Sequence, residues 1–218
     1  MPEWTSKRTS DPDTNRQRRL RLLLKAAVHV LALVPLARLG YLGMRHELGA
    51  NPIEFITRST GTWTLVILLL TLLVTPLRRL TGWNDLGRFR RLIGLYAFFY
   101  ACLHLTTYLW LDQFFDWSSI VRDIYKRPFI TAGFTAFILL LALALTSSTA
   151  AIRLLGPRLW RGLHRLVYAA AILGVIHYYW LVKIDVTQPL LYAAVLALLL
   201  AYRFVIAIRR PYNAPPRS

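Results

Sequence analysis

The chain has 218 residues and is 56% hydrophobic, with a mean hydropathy of +0.44. This composition excludes an ordinary soluble domain and predicts an integral membrane protein surrounded by lipid. The formal net charge of +17 would suggest a nucleic-acid partner in a soluble protein. Here the basic residues cluster in short loops between apolar segments, so we expect no nucleic acid. The single cysteine, Cys102, excludes an internal disulfide and a thiolate-ligated iron–sulfur cluster.

Residues 1–21 are polar and basic and predict a disordered cytoplasmic tail. Six apolar segments follow, each close to the roughly 20 residues that a membrane-spanning helix needs. They are Leu22–Gly43, Thr62–Leu80, Leu92–Leu111, Phe129–Ser147, Leu163–Val182 and Pro189–Ile208. Most of the loops have roughly ten to twenty residues, too few for a folded domain outside the membrane. The sequence therefore predicts an all-α, six-helix transmembrane bundle over residues 22–208, with a C-terminal tail of residues 209–218.

The distribution of Lys and Arg predicts the orientation of the bundle. Nineteen of these residues lie on the side that holds both termini, and six lie in the opposite loops. Because basic loops stay inside, we expect both termini in the cytoplasm. Arg38 and Arg203 fall within spans. Arg203 is close enough to a span end to snorkel to the interface, and Arg38 either does the same or meets a buried anion.

The first outer loop contains Asn51-Pro52-Ile53-Glu54, which has the residues of a helix N-cap, a first-turn proline and a capping-box glutamate. This pattern predicts a short helix at the outer surface. The helix is either a docking or cofactor-facing element or simply a structured turn.

Four histidines, His29, His104, His164 and His177, lie within apolar spans, where burying an imidazole costs about 2–4 kcal/mol and therefore suggests function. His104 follows Arg91 by 13 residues, and His177 follows Arg165 by 12 residues. The two spans run in the same direction, so the two imidazoles lie at similar depth in the outer half of the bilayer. We expect both to ligate one metal ion from opposite faces, and haem iron is the metal that helical bundles commonly bind through histidine.

His164, at the cytoplasmic boundary, lies 13 residues before His177, or about 20 Å along a helix. That separation suits a second haem stacked below the first. However, Arg90 and Arg91 stand where the third span would have to supply a second ligand, which leaves His29 as the other intramembrane candidate. His164 is alternatively an interfacial residue, and His29 alternatively a packed or hydrogen-bonded one.

Arg161 and Arg165 flank His164, and their guanidinium groups suit the propionates of a haem or the phosphate of a flavin. The alternative is that each only anchors the inner loop. The sequence has neither a glycine-rich dinucleotide motif nor a P-loop. Any electrons that reach a metal in this chain must therefore come from a separate donor.

Several longer motifs carry a family resemblance. They are NPIEFITRSTGTW, TPLRRLTGW, RRLIGLYAFFYACLHLTTYLWLD, KRPFITAG and WRGLHRLVYAAAILGVIHYYWLVK. Together they resemble the MsrQ (formerly YedZ) family of haem-binding membrane subunits of bacterial methionine sulfoxide reductase systems. The resemblance runs from about residue 22 to about residue 208. More distantly, the chain resembles the transmembrane domain of ferric reductases and NADPH oxidases.

The resemblance implies haem b and FMN as cofactors. It also implies electron transfer from the quinone pool or a cytoplasmic flavin reductase to MsrP, a periplasmic molybdopterin subunit that repairs methionine sulfoxide in periplasmic proteins. The family histidines correspond to His104, His164 and His177. The fourth histidine of the wider oxidase pattern is absent, and no local motif indicates the FMN site.

Three functions remain open at this stage. The first is an electron-transfer subunit without substrate chemistry of its own, and the second is a stand-alone ferric or quinone reductase using b-type haem. The third is a carrier whose histidines relay protons. For the first, we expect the partner to dock on the outer loops Asn51–Arg58 and Asp112–Arg127, with Glu54 and Asp123 among the docking charges.

Overall fold

The computed structural model describes residues 12–212 and the side chains of residues 15–208. This part of the chain is all-α, with eight α-helices and one π-helical segment. The helices are α1 (Pro12–Met44), α2 (Pro52–Thr81), α3 (Leu86–Thr106), α4 (Trp117–Lys126), α5 (Pro128–Leu145), α6 (Thr149–Leu163), α7 (Leu166–Leu181) and α8 (Thr187–Tyr212). The π-helical segment, Thr107–Asp112, continues α3.

Five continuous helical segments are long and apolar enough to cross a membrane: Asn15–Met44, Pro52–Thr81, Leu86–Asp112, Pro128–Leu145 and Thr187–Ile208. The candidate for a sixth span is α6 and α7 together, which are bent by 45° at the break between Leu163 and Leu166. The prediction of a helical membrane bundle is therefore confirmed. The predicted segment Leu163–Val182 is only the second, apolar half of this bent pair, because α6 carries too many arginines to read as a span.

Helix α1 begins at Pro12, so the predicted unstructured tail is wrong for residues 12–21. Proline is favoured in the first turn of a helix, and the Arg, Gln and Leu residues that follow form helices readily. The prediction for residues 1–11 lies outside the described residues. At the other end, α8 continues to Tyr212, into the segment predicted as a C-terminal tail.

Helix α2 lies at the centre of the bundle and packs most closely on α3, while α5 packs most closely on α7. The core includes Leu68 and Leu72 of α2, Ala97 of α3, and Ala170 and Ala171 of α7, all nearly inaccessible. The alanines allow neighbouring backbones to approach closely, as is common in membrane bundles. Helix α1 has few buried residues and lies at the edge.

The ends of the bundle are named after the residues that occupy them. The histidine end is where α2 and α5 begin, at Pro52 and Pro128. The arginine end is where α2 ends and α3 begins, at Thr81 and Leu86.

Pro35 interrupts α1, and a tyrosine from α3 repairs the interruption. The Tyr100 hydroxyl accepts a hydrogen bond from Leu36 N at 3.2 Å and donates one to Ala32 O at 2.7 Å. It therefore bridges an N–H and a carbonyl that would bond directly in an uninterrupted helix. In lipid such groups have no water to bond with, so this bridge ties α1 to the core.

Pro76 interrupts α2 in a similar way. Because proline has no N–H, Leu72 O loses its intrahelical donor. The Arg203 guanidinium of α8 supplies another, with Nη2 donating to Leu72 O at 2.6 Å. The expectation that Arg203 snorkels to the interface is therefore wrong, since the side chain points into the bundle.

The predicted N-cap and first-turn proline at the start of α2 are confirmed. Asn51 Oδ1 accepts a hydrogen bond from Glu54 N at 3.2 Å, and Asn51 Nδ2 donates to the Glu54 carboxylate at 3.1 Å. However, the predicted separate surface helix is wrong, because this turn continues without a break to Thr81. The extra turns bring Thr57 and Gly61 to the level of the intramembrane histidines.

We predict that Tyr100→Phe lowers the free energy of unfolding by about 1–3 kcal/mol, since two buried backbone groups lose their partner. Thermal unfolding of the purified protein in detergent measures the effect. Tyr41→Phe, on the exposed side of α1 (55% accessible), is the matched control and should change little. Equal melting temperatures for the two variants would show that the bridge does not stabilise the bundle.

Candidate metal centre

His104 of α3 and His177 of α7 face each other at the histidine end. Their ring centroids are 6.0 Å apart, and the ring planes make an angle of 73°. The two side chains lie side by side, as the prediction that they share a similar depth in the membrane requires. Both lie inside spans, where an isolated pair of imidazoles would be unfavourable without a ligand.

A backbone carbonyl fixes the orientation of each ring. His104 Nδ1 lies 2.9 Å from Thr57 O, and His177 Nδ1 lies 2.6 Å from Phe129 O. Since a carbonyl only accepts, each Nδ1 carries the hydrogen and donates it. The other ring nitrogen, Nε2, then has a free lone pair, which is the arrangement of a metal-binding histidine with an orienting partner.

Each imidazole also lies against a glycine. A Cβ on Gly61 would lie 2.9 Å from His104 Cε1, and a Cβ on Gly133 would lie 2.7 Å from His177 Nδ1. Each glycine comes one helical turn after the carbonyl that holds the same ring, since Thr57 precedes Gly61 by four residues and Phe129 precedes Gly133 by four. The α2–α3 and α5–α7 pairs therefore use the same device to hold one histidine each.

The spacing of the two rings fits a haem iron between them. Two metal–nitrogen bonds of about 2 Å each, and about 1 Å from each coordinating nitrogen to its ring centre, give centroids about 6 Å apart. No group of three or more His, Cys, Asp or Glu side chains in residues 12–212 could hold a metal by itself. The pair instead suits a metal whose remaining ligands come from a macrocycle.

A second observation points to a missing polar neighbour. The Thr57 hydroxyl is buried and has no hydrogen-bond partner in the described part of the chain. It belongs to the residue whose carbonyl orients His104. Buried hydroxyls are normally bonded, so this atom favours a bound group or water next to His104. The residues present at the histidine end therefore fit haem.

Sequence reasoning missed Thr57, Gly61, Phe129 and Gly133. The two glycines were the available signal, because glycine within an apolar helix often allows a close approach. Several aromatic residues close to the two histidines in the sequence do not line this site. Tyr100 binds α1, while Trp110, Tyr179 and Trp180 are exposed where lipid would lie.

His164 lies at the arginine end, at the bend between α6 and α7, far from His104 and His177. Its ring stacks on Trp160 with centroids 4.1 Å apart, and its Nε2 lies 3.2 Å from the Thr146 hydroxyl. No second histidine faces it in the described residues. His29 is hydrogen-bonded instead, with Nδ1 2.7 Å from the Tyr96 hydroxyl, in agreement with the packed interpretation.

Arg161 and Arg165 are both exposed at the arginine end. Neither makes an ion pair within the described part of the chain, and neither lies near the His104–His177 pair. Their role toward a haem propionate or a flavin phosphate stays a prediction.

The outer-loop charges differ from expectation. Asp123, on the buried side of α4, is only 7% accessible, accepts a hydrogen bond from Tyr108 and pairs with Arg127 at 3.2 Å. It therefore fixes α4 to the π-helical segment after His104, and a docking role for it is wrong. Asp116 is exposed and caps α4, and hydrogen bonds from Ser118 and Ser119 lower the pKa of its carboxyl.

Comparisons with known proteins agree with this geometry. Residues 60–175 match the family described as ferric reductase like transmembrane component. Proteins named protein-methionine-sulfoxide reductase heme-binding subunit MsrQ are similar over most of their length. The one from Azospira oryzae is 58% identical over 89% of this chain and 84% of its own. That from Ralstonia nicotianae is 56% identical (83% and 84%), and that from Herminiimonas arsenicoxydans is 52% identical (83% and 84%).

The matched family segment includes His104 and His164 and ends two residues before His177. The spans and the family together show a multi-pass membrane protein, consistent with the inner membrane. The chain belongs to the ferric reductase-like transmembrane family and, within it, to the MsrQ subunits of protein-methionine-sulfoxide reductases.

Proposed function

We propose that this chain is a transmembrane electron-transfer subunit that holds one haem b between His104 and His177. The observation that carries the proposal is the 6.0 Å separation of the two rings, each fixed through Nδ1. The relatives are named haem-binding subunits of a reductase, which supports the same reading. When bound, haem supplies a one-electron iron couple.

The chain's own residues prepare this site for electron transfer. Thr57 O and Phe129 O hold the imidazoles in the tautomer that presents Nε2. Because these hydrogen bonds fix both rings, little rearrangement would accompany a change of charge on an iron held between them. Thr57 is six residues beyond Asn51, the cap of α2, so the site lies within about two helical turns of the histidine end. That position favours transfer to a partner at this end.

The basic asymmetry supports the direction of transfer. With both termini in the cytoplasm, the histidine end faces the periplasm. We infer that electrons leave there for MsrP, a periplasmic molybdopterin subunit that reduces methionine sulfoxide in oxidised proteins. The quinone pool or a cytoplasmic flavin reductase supplies them at the arginine end, with FMN as a second cofactor and His164, Arg161 and Arg165 as nearby candidates.

This proposal treats residues 22–208 as one haem-binding unit, residues 1–21 as a basic cytoplasmic segment and residues 209–218 as a cytoplasmic tail. No described element forms a separate domain.

The proposal predicts that His104→Ala or His177→Ala abolishes haem binding and electron delivery to MsrP, because each removes one of the two imidazoles that would hold the iron. His164→Ala retains the b-type spectrum of this haem. The haem content of each purified variant and its reduction of MsrP in proteoliposomes test this. Retention of full haem by His177→Ala, with loss in His164→Ala, would contradict the assignment. Ferric chelate reduction at equal rate without MsrP would instead favour a stand-alone reductase.

The glycines provide a finer test. Gly61→Ala and Gly133→Ala should each weaken haem binding about 10- to 100-fold, since the new Cβ displaces a ring and breaks its orienting hydrogen bond. Gly40→Ala, where a Cβ meets nothing within 4 Å, is the control and should bind haem normally. Haem titration followed by the optical spectrum gives the affinities. Normal affinity in Gly133→Ala would show that the histidine is free to move.

Reporter fusions test the proposed orientation of the chain in the membrane. Reporter fusions after Asp116 should report the periplasm, and fusions after Gly156 the cytoplasm, because nineteen basic residues flank the arginine end. Phosphatase and fluorescent-protein reporters distinguish the two sides. The opposite labelling would reverse both the topology and the direction of electron transfer.

A further inference from the structure

Three arginines from different helices lie near one another inside the arginine end. Arg203 of α8 donates from Nη1 to the Tyr168 hydroxyl at 2.9 Å, and its guanidinium carbon lies 5.2 Å from the Tyr168 ring centre. Arg90 of α3 lies within electrostatic range of Tyr168, of Arg203 and of Arg78 on α2. The cluster of Arg78, Arg90 and Arg203 is here called the arginine cluster.

The arginine cluster lacks a counter-charge. Within the described part of the chain no carboxylate makes an ion pair with these three residues. Asp85, an acidic residue at the same end, pairs with Arg21 and Arg88 instead. Like charges held together beside lipid repel one another strongly, because little water screens them. An anion bound among them would therefore stabilise the cluster.

One donor of the cluster is also unused. Arg203 Nη1 and Nη2 bond Tyr168 and Leu72, but Nε is buried and has no partner in the described residues. Buried guanidinium N–H groups are normally satisfied, so this atom indicates a missing acceptor. Tyr168 lies nine residues before His177, about 14 Å along α7, which separates the cluster from the metal centre.

We propose that the arginine cluster binds a phosphate group. Three guanidinium groups match the several oxygens of one phosphate, with charge-assisted hydrogen bonds. The phosphate comes either from flavin mononucleotide or from the headgroup of an anionic phospholipid entering beside α8. The flavin source rests on the proposed function, whereas the lipid source does not. The sequence analysis named Arg161 and Arg165 as candidates for binding a haem propionate or a flavin phosphate, but their side chains are exposed. Arg78, Arg90 and Arg203 are part-buried.

The chain provides matched controls. Arg79 follows Arg78 on α2, and Arg91 follows Arg90 on α3, and both neighbours are exposed. Arg79→Gln and Arg91→Gln remove the same charge from the same end of the same helices. Their effects separate binding by the cluster from the general attraction of a basic surface.

The experiment measures the binding of two phosphate-containing compounds, FMN and phosphatidylglycerol, to the purified protein with haem bound. Flavin fluorescence quenching compares FMN with riboflavin, which lacks the phosphate. Native mass spectrometry measures retained phosphatidylglycerol. We expect either FMN to bind at least about tenfold tighter than riboflavin, or phosphatidylglycerol to be retained. Arg78→Gln and Arg90→Gln should each weaken that binding about tenfold, as expected for loss of a charged hydrogen bond, while Arg79→Gln and Arg91→Gln stay within about twofold.

Arg203 needs a separate design, because its removal also leaves Leu72 O unpaired. Arg203→Lys keeps the positive charge but loses the planar guanidinium with its several N–H donors. This variant should therefore fold, but it should bind phosphate more weakly than the unchanged protein. The haem spectrum of every variant reports on the proposed function independently. Equal binding of FMN and riboflavin together with no retained phosphatidylglycerol, or equal losses in the Arg79 and Arg91 controls, would overturn the phosphate site while leaving the haem proposal intact.

Discussion

In a bilayer every backbone N–H and carbonyl must find a partner within the protein, and this requirement determines how the helices are held together. Two prolines break the internal bonding of their own helices, and side chains from distant parts of the chain replace what is lost. Tyr100 bridges the interruption at Pro35, and Arg203 binds the carbonyl freed by Pro76. Helices α1 and α8 are thus joined to the core by polar contacts where apolar packing alone would be weak.

The same chemistry positions the metal centre. Each imidazole needs an acceptor for its N–H in a region without water, and a carbonyl near the start of α2 or α5 provides one. Glycine at the next turn leaves room for the ring to reach it. Backbone pairing and the orientation of the two histidines are therefore not separate problems here, because the contact that satisfies Nδ1 also leaves Nε2 free as a ligand atom.

The sequence predicts the spans and the pairing of His104 with His177, because hydropathy and basic boundaries give the depth of a residue in the membrane. Hydropathy and basic boundaries say less about which neighbouring helix a side chain faces. The inward turn of Arg203, the burial of Asp123 and the bend at His164 all depend on which neighbouring helix offers a partner. The glycines beside the histidines were visible but unassigned, since their meaning comes from a ring on another helix.

The basic residues at the arginine end show that the number of Lys and Arg residues on each side of the membrane does not describe all of their roles. Arg78 and Arg79 contribute equally to the charge that orients the bundle, as do Arg90 and Arg91. Successive residues on a helix point about 100° apart, so one of each pair turns toward the bundle and the other toward the surface. Arg90, the inward one on α3, lies within electrostatic range of Arg203, Tyr168 and Arg78, and repulsion among these cations favours the binding of an anion. Orientation alone needs no inward-facing arginine, so the position of these residues indicates binding in addition to topology.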